Sequence, residues 1–225
     1  MPQEKKPQPQ TPRILATQSI CKRLVLVLDS SGSMSSQKND IIGGVNETIK
    51  VQRQSQPSEN STTNFNIVTF SDCVSIPQEH TLESVPFLSD SSYCPSGSTA
   101  LFDAMGLTMS RYNTESGVIM IVATDGEENS SSKYSYKQIV EMVKNLRENK
   151  NWNFIYLSED IDTFKQGESM GISQSTTNCN NIAVGKYCLG NALKSNECQS
   201  AISDMRKGTK NVKIAQTISS LSQQY

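Results

Sequence analysis

Residues 24–34 read LVLVLDSSGSM. Residues 24–28 are apolar without alternation, the pattern of a parallel strand buried on both faces. The run stops at Asp29, and Ser31 and Ser33 follow with Gly32 between them. A glycine backbone can turn there and let both hydroxyls face one point. The stretch therefore reads as a central strand that delivers three oxygen donors to one edge of a sheet.

The rest of the chain repeats this arrangement. Residues 118–123 (VIMIVA) form a second fully apolar strand, with Asp125 just beyond it in TDGEEN. Residues 65–70 and 154–157 read as strands, with a short one near 182–184. Apolar residues at helical spacing predict helices over 37–54, 99–112, 135–149, 161–170 and 186–206. Gly43 and Gly44 weaken the first helix intrinsically and suit close packing of helix on sheet. Residues 73–76 follow a strand after only Ser71 and Asp72, which predicts a hairpin and one antiparallel edge strand. Residues 77–98 read as loop, with Pro77, Pro86, Pro95 and Gly97. Alternating strand and helix implies an α/β fold: a doubly wound, mostly parallel sheet with helices on both faces.

In such sheets ligands bind at the carboxyl ends of the strands, at a topological switch point. Asp29 and Asp125 both arrive at that edge, outside the apolar core. Thr99, in PSGSTALFDAM, opens a third segment and suits a helix N-cap. Taken singly, Asp29 and Ser31 read as caps and Asp125-Gly126 as a turn. Taken together, Asp29, Ser31, Ser33, Thr99 and Asp125 are five oxygen donors suited to a hard divalent cation: Mg²⁺, or Mn²⁺ or Ca²⁺. Glu127 and Glu128 read as solvated loop acids.

At 225 residues the chain is long enough for one large domain, expected over residues 21–207. The 21 Lys+Arg and 22 Asp+Glu nearly cancel, which argues against bulk electrostatic binding to nucleic acid or an anionic membrane. No apolar span of ~20 residues offers a transmembrane helix. Residues 1–20 are polar and proline-rich, a disordered tail on this reading, and 208–225 are a C-terminal tail or a loosely docked helix. The N-terminus lacks the apolar segment of a signal peptide. Cys21, Cys73, Cys94, Cys179, Cys188 and Cys198 form no C-x-x-C pair. With the first residue taken as the natural start, the expectation is a cytoplasmic protein with reduced thiols. A bridge among Cys179, Cys188 and Cys198 is the alternative.

The five donors resemble the metal-ion-dependent adhesion site of von Willebrand factor type A (VWA) domains, whose pattern is D-x-S-x-S, a distant Thr and a distant Asp. The resemblance covers about residues 22–206 and includes the antiparallel edge strand. Within that family, TDGEENSSSKYS and WNFIYLSEDIDTFKQGESMGI are similar to the intracellular type of bacteria and their viruses. Where that branch often has Gly-Gly-Thr-Ala-Leu, this chain has Gly97-Ser98-Thr99-Ala100-Leu101. The resemblance implies that Ser31, Ser33 and Thr99 contact the metal and that the two Asp act largely through water.

Three functions compete. The first is a binding module whose metal grips an Asp or Glu exposed on a protein partner, with no catalysis. The second is a structural subunit that leaves the site unused. The third is a metal-dependent phosphohydrolase of the haloacid-dehalogenase kind, which needs a second acid two residues after the first, where Ser31 stands. G-x-x-x-x-G-K-[ST] is absent, and the single G-x-S-x-G, at residues 167–171, falls at the end of a predicted helix and not on a strand-to-helix turn. The sole histidine, His80, lies in a polar loop.

Overall fold

An apolar run with no polar face has to lie in the middle of a sheet, and the computed structural model puts it there. The structure describes residues 21–55, 62–159, 161–173, 175–185, 188–209 and 212–214. The elements in chain order are β1 (Arg23–Asp29), a 3₁₀ segment (Gly32–Gln37), α1 (Lys38–Gln54), β2 (Asn64–Phe70), β3 (Val74–Ser75), α2 (Leu101–Tyr112) and β4 (Ile119–Thr124). They continue with α3 (Tyr136–Lys150), β5 (Asn153–Ser158), α4 (Ile161–Ser169), β6 (Cys179–Ala183), α5 (Leu189–Lys194) and α6 (Asn196–Arg206). The six strands are ordered β3-β2-β1-β4-β5-β6. Every neighbouring pair is parallel except β2 with β3, the expected hairpin.

The central strand feeds two cores. Leu24, Leu26 and Leu28 pack on one face with Ile41, Val45 and Ile49 of α1, Leu189 and Leu193 of α5 and Ile202 of α6. Val25 and Val27 pack on the other with Leu101 and Met105 of α2 and Ile139 and Val143 of α3. Each such side chain contributes about 1.5–3 kcal/mol when fully buried, so neither face of β1 tolerates a polar residue. The chain moves from β1 to β2 on one side and returns to β4 on the other. The C-terminal ends of β1 and β4 therefore form the switch point.

Three details differ from the sequence reading. The helix expected over 186–206 is two helices. Ser195 interrupts it with an extended backbone (φ −61°, ψ 143°), and its hydroxyl caps α6 by accepting from the Cys198 amide at 3.2 Å. Residues 212–214, within the expected C-terminal tail, lie against β6. The Asn180 side chain donates to the Val212 carbonyl at 3.0 Å and accepts from the Ile214 amide at 2.9 Å, and Ile214 is buried. Gly44 packs on a helix and not on the sheet: a Cβ there would lie 2.6 Å from the Gly190 carbonyl oxygen of α5. The expected N-terminal tail, residues 1–20, lies outside the described residues. Among the described residues no helix is long and apolar enough to cross a membrane.

None of the six cysteines is in a disulfide, and Cys73 and Cys94 are exposed. Burial pushes the thiols of Cys21 and Cys198 up to about 11 and about 12. Because the thiolate is the reactive form, a thiol reagent is expected to label Cys73 and Cys94 in the native protein. All six should titrate only after denaturation without reductant, and four or fewer would reveal a disulfide. Gly44→Ala is expected to destabilise the fold by about 1–3 kcal/mol, since backbone and not a movable side chain opposes the added methyl. At about 2–4 °C per kcal/mol for a domain of this size, the thermal midpoint checks it.

Candidate metal centre

β1 and β4 pair through Leu28–Ala123, so the residues one step further, Asp29 and Thr124, are neighbours. The Thr124 hydroxyl donates to Asp29 Oδ2 at 2.6 Å. Asp29 Oδ1 accepts the Ser31 amide at 2.7 Å, which turns the chain back over the strand end. The Ser31 and Ser33 hydroxyls then lie 3.0 Å apart, on the two sides of Gly32 as the sequence implied. Ser33 Oγ donates to Asp125 Oδ1 at 2.7 Å, and the Gln37 side chain donates to Asp125 Oδ2 at 3.3 Å. A continuous chain of hydrogen bonds thus joins Asp29, Ser31, Ser33 and Asp125.

Thr99 reaches the same place by another route. Its Oγ1 lies 3.5 Å from where a Cβ on Gly126 would be, one residue after Asp125. Gly97 turns with φ +79° and accepts the Gly32 amide at 3.0 Å. The Asp72 carboxylate fills the space a Gly97 side chain would need and accepts the Ser98 amide at 3.0 Å. Thr99 does not cap α2 as expected. Ala100 holds the cap position without a side-chain bond, and the first-turn amides of Phe102 and Asp103 donate instead to Glu128 Oε2 (2.9 Å) and Ser131 Oγ (3.0 Å). Glu128 is therefore a structural acceptor and not the solvated acid expected of it.

Asp29 is fully buried, another departure from the expectation that both acids stand clear of the core. Desolvation pushes its carboxyl up to about 6, against the hydrogen bonds from Thr124 and Ser31, and the charge of Asp125 pushes it the same way. Tyr93 is buried beneath the site and donates to the Asp29 carbonyl at 2.6 Å. Burial and the two acids raise its phenol far above the ordinary range, so it stays a neutral donor. Among the described residues no three His, Cys, Asp or Glu side chains gather as a metal-binding group. A cation here would depend on the hydroxyls as well as the two acids. Such a donor set fits a hard cation: a buried carboxylate faces a second one across two hydroxyls.

Thr124, Gln37 and Tyr93 were not singled out in the sequence, and Asp72 only as part of a turn. The signals they carried were slight: a hydroxyl closing an apolar strand at Thr124, and one aromatic in a serine-rich loop at Tyr93.

No protein-family model and no curated protein sequence matches the chain. Solved structures do. A von Willebrand factor type A protein from Catenulispora acidiphila superimposes with a TM-score of 0.53 at 13% identity, over 84% of this chain and 43% of that one. The ArnB paralog VWA2 from Sulfolobus acidocaldarius gives 0.52 at 16%, over 76% and 44%. A variant of the PilB minor pilin from Streptococcus sanguinis gives 0.59 at 11%, over 84% and 62%. The fold is that of the VWA domain, and this chain spans 43% to 62% of the length of those three proteins.

Removing the Asp29 side chain leaves the Ser31 amide without its acceptor and the Thr124 hydroxyl with only the Gly126 carbonyl, 3.0 Å away. Asp29→Ala is expected to cost about 1–3 kcal/mol even with EDTA present, whereas Asp125→Ala, at a partly exposed position, should cost less. Denaturant unfolding of both variants without metal checks this, and equal stabilities would contradict the burial of Asp29.

Proposed function

We propose that the chain is a divalent-cation-dependent protein-binding module. The observation that carries this reading is the hydrogen-bonded chain Asp29–Ser31–Ser33–Asp125 at the switch point, with Thr99 beside it. Ser31, Ser33 and Thr99 would hold Mg²⁺, or Mn²⁺ or Ca²⁺, through their hydroxyls. Asp29 and Asp125 would supply the negative charge, directly or through water. This is the donor set of an intact metal-ion-dependent adhesion site, of the kind found in the intracellular branch. Mg²⁺ takes six oxygens and keeps some of its water. Two acids leave such a cation electrophilic, so an Asp or Glu on a protein partner replaces a water and completes the shell.

The proposed role is binding and not catalysis. Phosphoryl chemistry of the haloacid-dehalogenase kind needs an acid two residues beyond Asp29, and Ser31 occupies that place with its hydroxyl on Ser33. The proposed setting is cytoplasmic, in keeping with six cysteines none of which is in a disulfide.

Calorimetry is expected to show one Mg²⁺ site. Thr99→Ala should weaken it about tenfold, equivalent to about 1.4 kcal/mol, and Asp125→Ala should abolish it. EDTA should release a captured partner, and the protein should not hydrolyse aryl phosphates. Unchanged affinity in both variants would place any cation elsewhere.

A further inference from the structure

We propose that Asn129 is the positioning residue for Thr99, making Thr99 part of the Asp125 loop and not of helix α2. The consequence for a cation rests on the reading above; the geometry does not. Both backbone groups of Thr99 are bound to this one residue. The Thr99 amide donates to Asn129 Oδ1 at 2.8 Å, and the Thr99 carbonyl accepts the Asn129 amide at 3.0 Å. Thr99 is itself buried, so its amide depends on that acceptor.

Two carboxylates extend the link into a rigid body. Glu128 accepts from the amides of Phe102, Ser130 and Ser131 and from the Ser131 hydroxyl, at 2.6–2.9 Å. Asp103 accepts the amides of Ser132, Lys133 and Tyr134 at 2.8–3.0 Å. Residues 99–103 and 126–134 therefore move together. Ser31 and Ser33 belong to a different body, the end of β1. Between them stand Asp125 and Gly97, which flank the loop body and bond to the β1 end through Ser33–Asp125, Gln37–Asp125 and Gly32–Gly97. The five donors are divided across this seam, and a cation would close it. Asn129 sets where Thr99 stands when it does.

Asn129 is exposed, so its replacement removes little packing. In the full chain, Asn129→Ala is expected to raise the Mg²⁺ Kd by about 10–100-fold, the usual effect of losing a group that orients a ligand. The thermal midpoint should fall by less than about 4 °C. In metal-free protein the Thr99 amide should exchange at least about tenfold faster. Asn129→Asp keeps the acceptor. Because its charge also attracts a cation, its rescue is read on metal-free amide exchange, which should return to the wild-type rate.

Two results would overturn the proposal: Thr99 exchange unchanged in Asn129→Ala, or exchange accelerated with Mg²⁺ affinity still at the wild-type value. Wild-type protein that binds no Mg²⁺ would sink the cation reading alone, and the exchange rates would still decide the role of Asn129.

Discussion

The Asp29 carboxylate ends the strand that the sheet encloses most completely, and its two oxygens serve two segments. One holds the Ser31 amide in the adjoining turn, and the other holds the Thr124 hydroxyl at the end of β4. A buried carboxylate is costly unless its hydrogen-bonding capacity is filled. Here it is filled by neutral donors, while the nearest charge that acts on it is another acid. The turn geometry, the approach of Ser33 to Asp125 and the Tyr93 anchor under the strand all follow from fixing this group in place. A site arranged in this way holds negative charge in a shape that only a small cation or a set of strong donors can complement.

Much of the fold was legible because burial on both faces leaves a plain mark. Residues 24–28 and 118–123 admit no amphipathic reading, and the short gap after Phe70, expected as Ser71 and Asp72 and found as Ser71–Cys73, leaves room only for a tight turn. The break at Ser195 was harder to see. A single helix would continue the apolar stripe of Leu189, Ala192 and Leu193 at 196 or 197, but it resumes at Cys198 with Ala201, Ile202 and Met205. That slip in phase was the available signal, hidden in a stretch of small polar residues. Residues 212–214 gave none, because three residues pinned by an asparagine on β6 have no periodicity to detect.

The site divides in the same manner. Its five donors stand at the ends of readable elements, and the order of those elements brings their ends together. The residues that hold them are tertiary partners. Asn129 meets Thr99 across 30 positions, and Glu128 meets Phe102 across 26. Thr99 immediately before a helix looks like a cap by every local rule. Only the folded β4–α3 loop, with its own carboxylate, takes that duty away and leaves the threonine hydroxyl for other use.

The position of β1 also governs the order of assembly on the ribosome. Its two sheet neighbours are β2 and β4, and the Asp29–Thr124 bond joins residues 95 positions apart. At about 5–20 residues per second of synthesis, the most apolar segment of the protein waits about 5–20 s for its second flank. During that interval β1 presents an open hydrogen-bonding edge, the kind of surface on which nascent chains pair wrongly. The polar turn at residues 30–33 is already made by then and stops the apolar run at five residues. A segment that short offers little template for association between chains, so the same residues that form the candidate site also limit the risk that the fold incurs in reaching it.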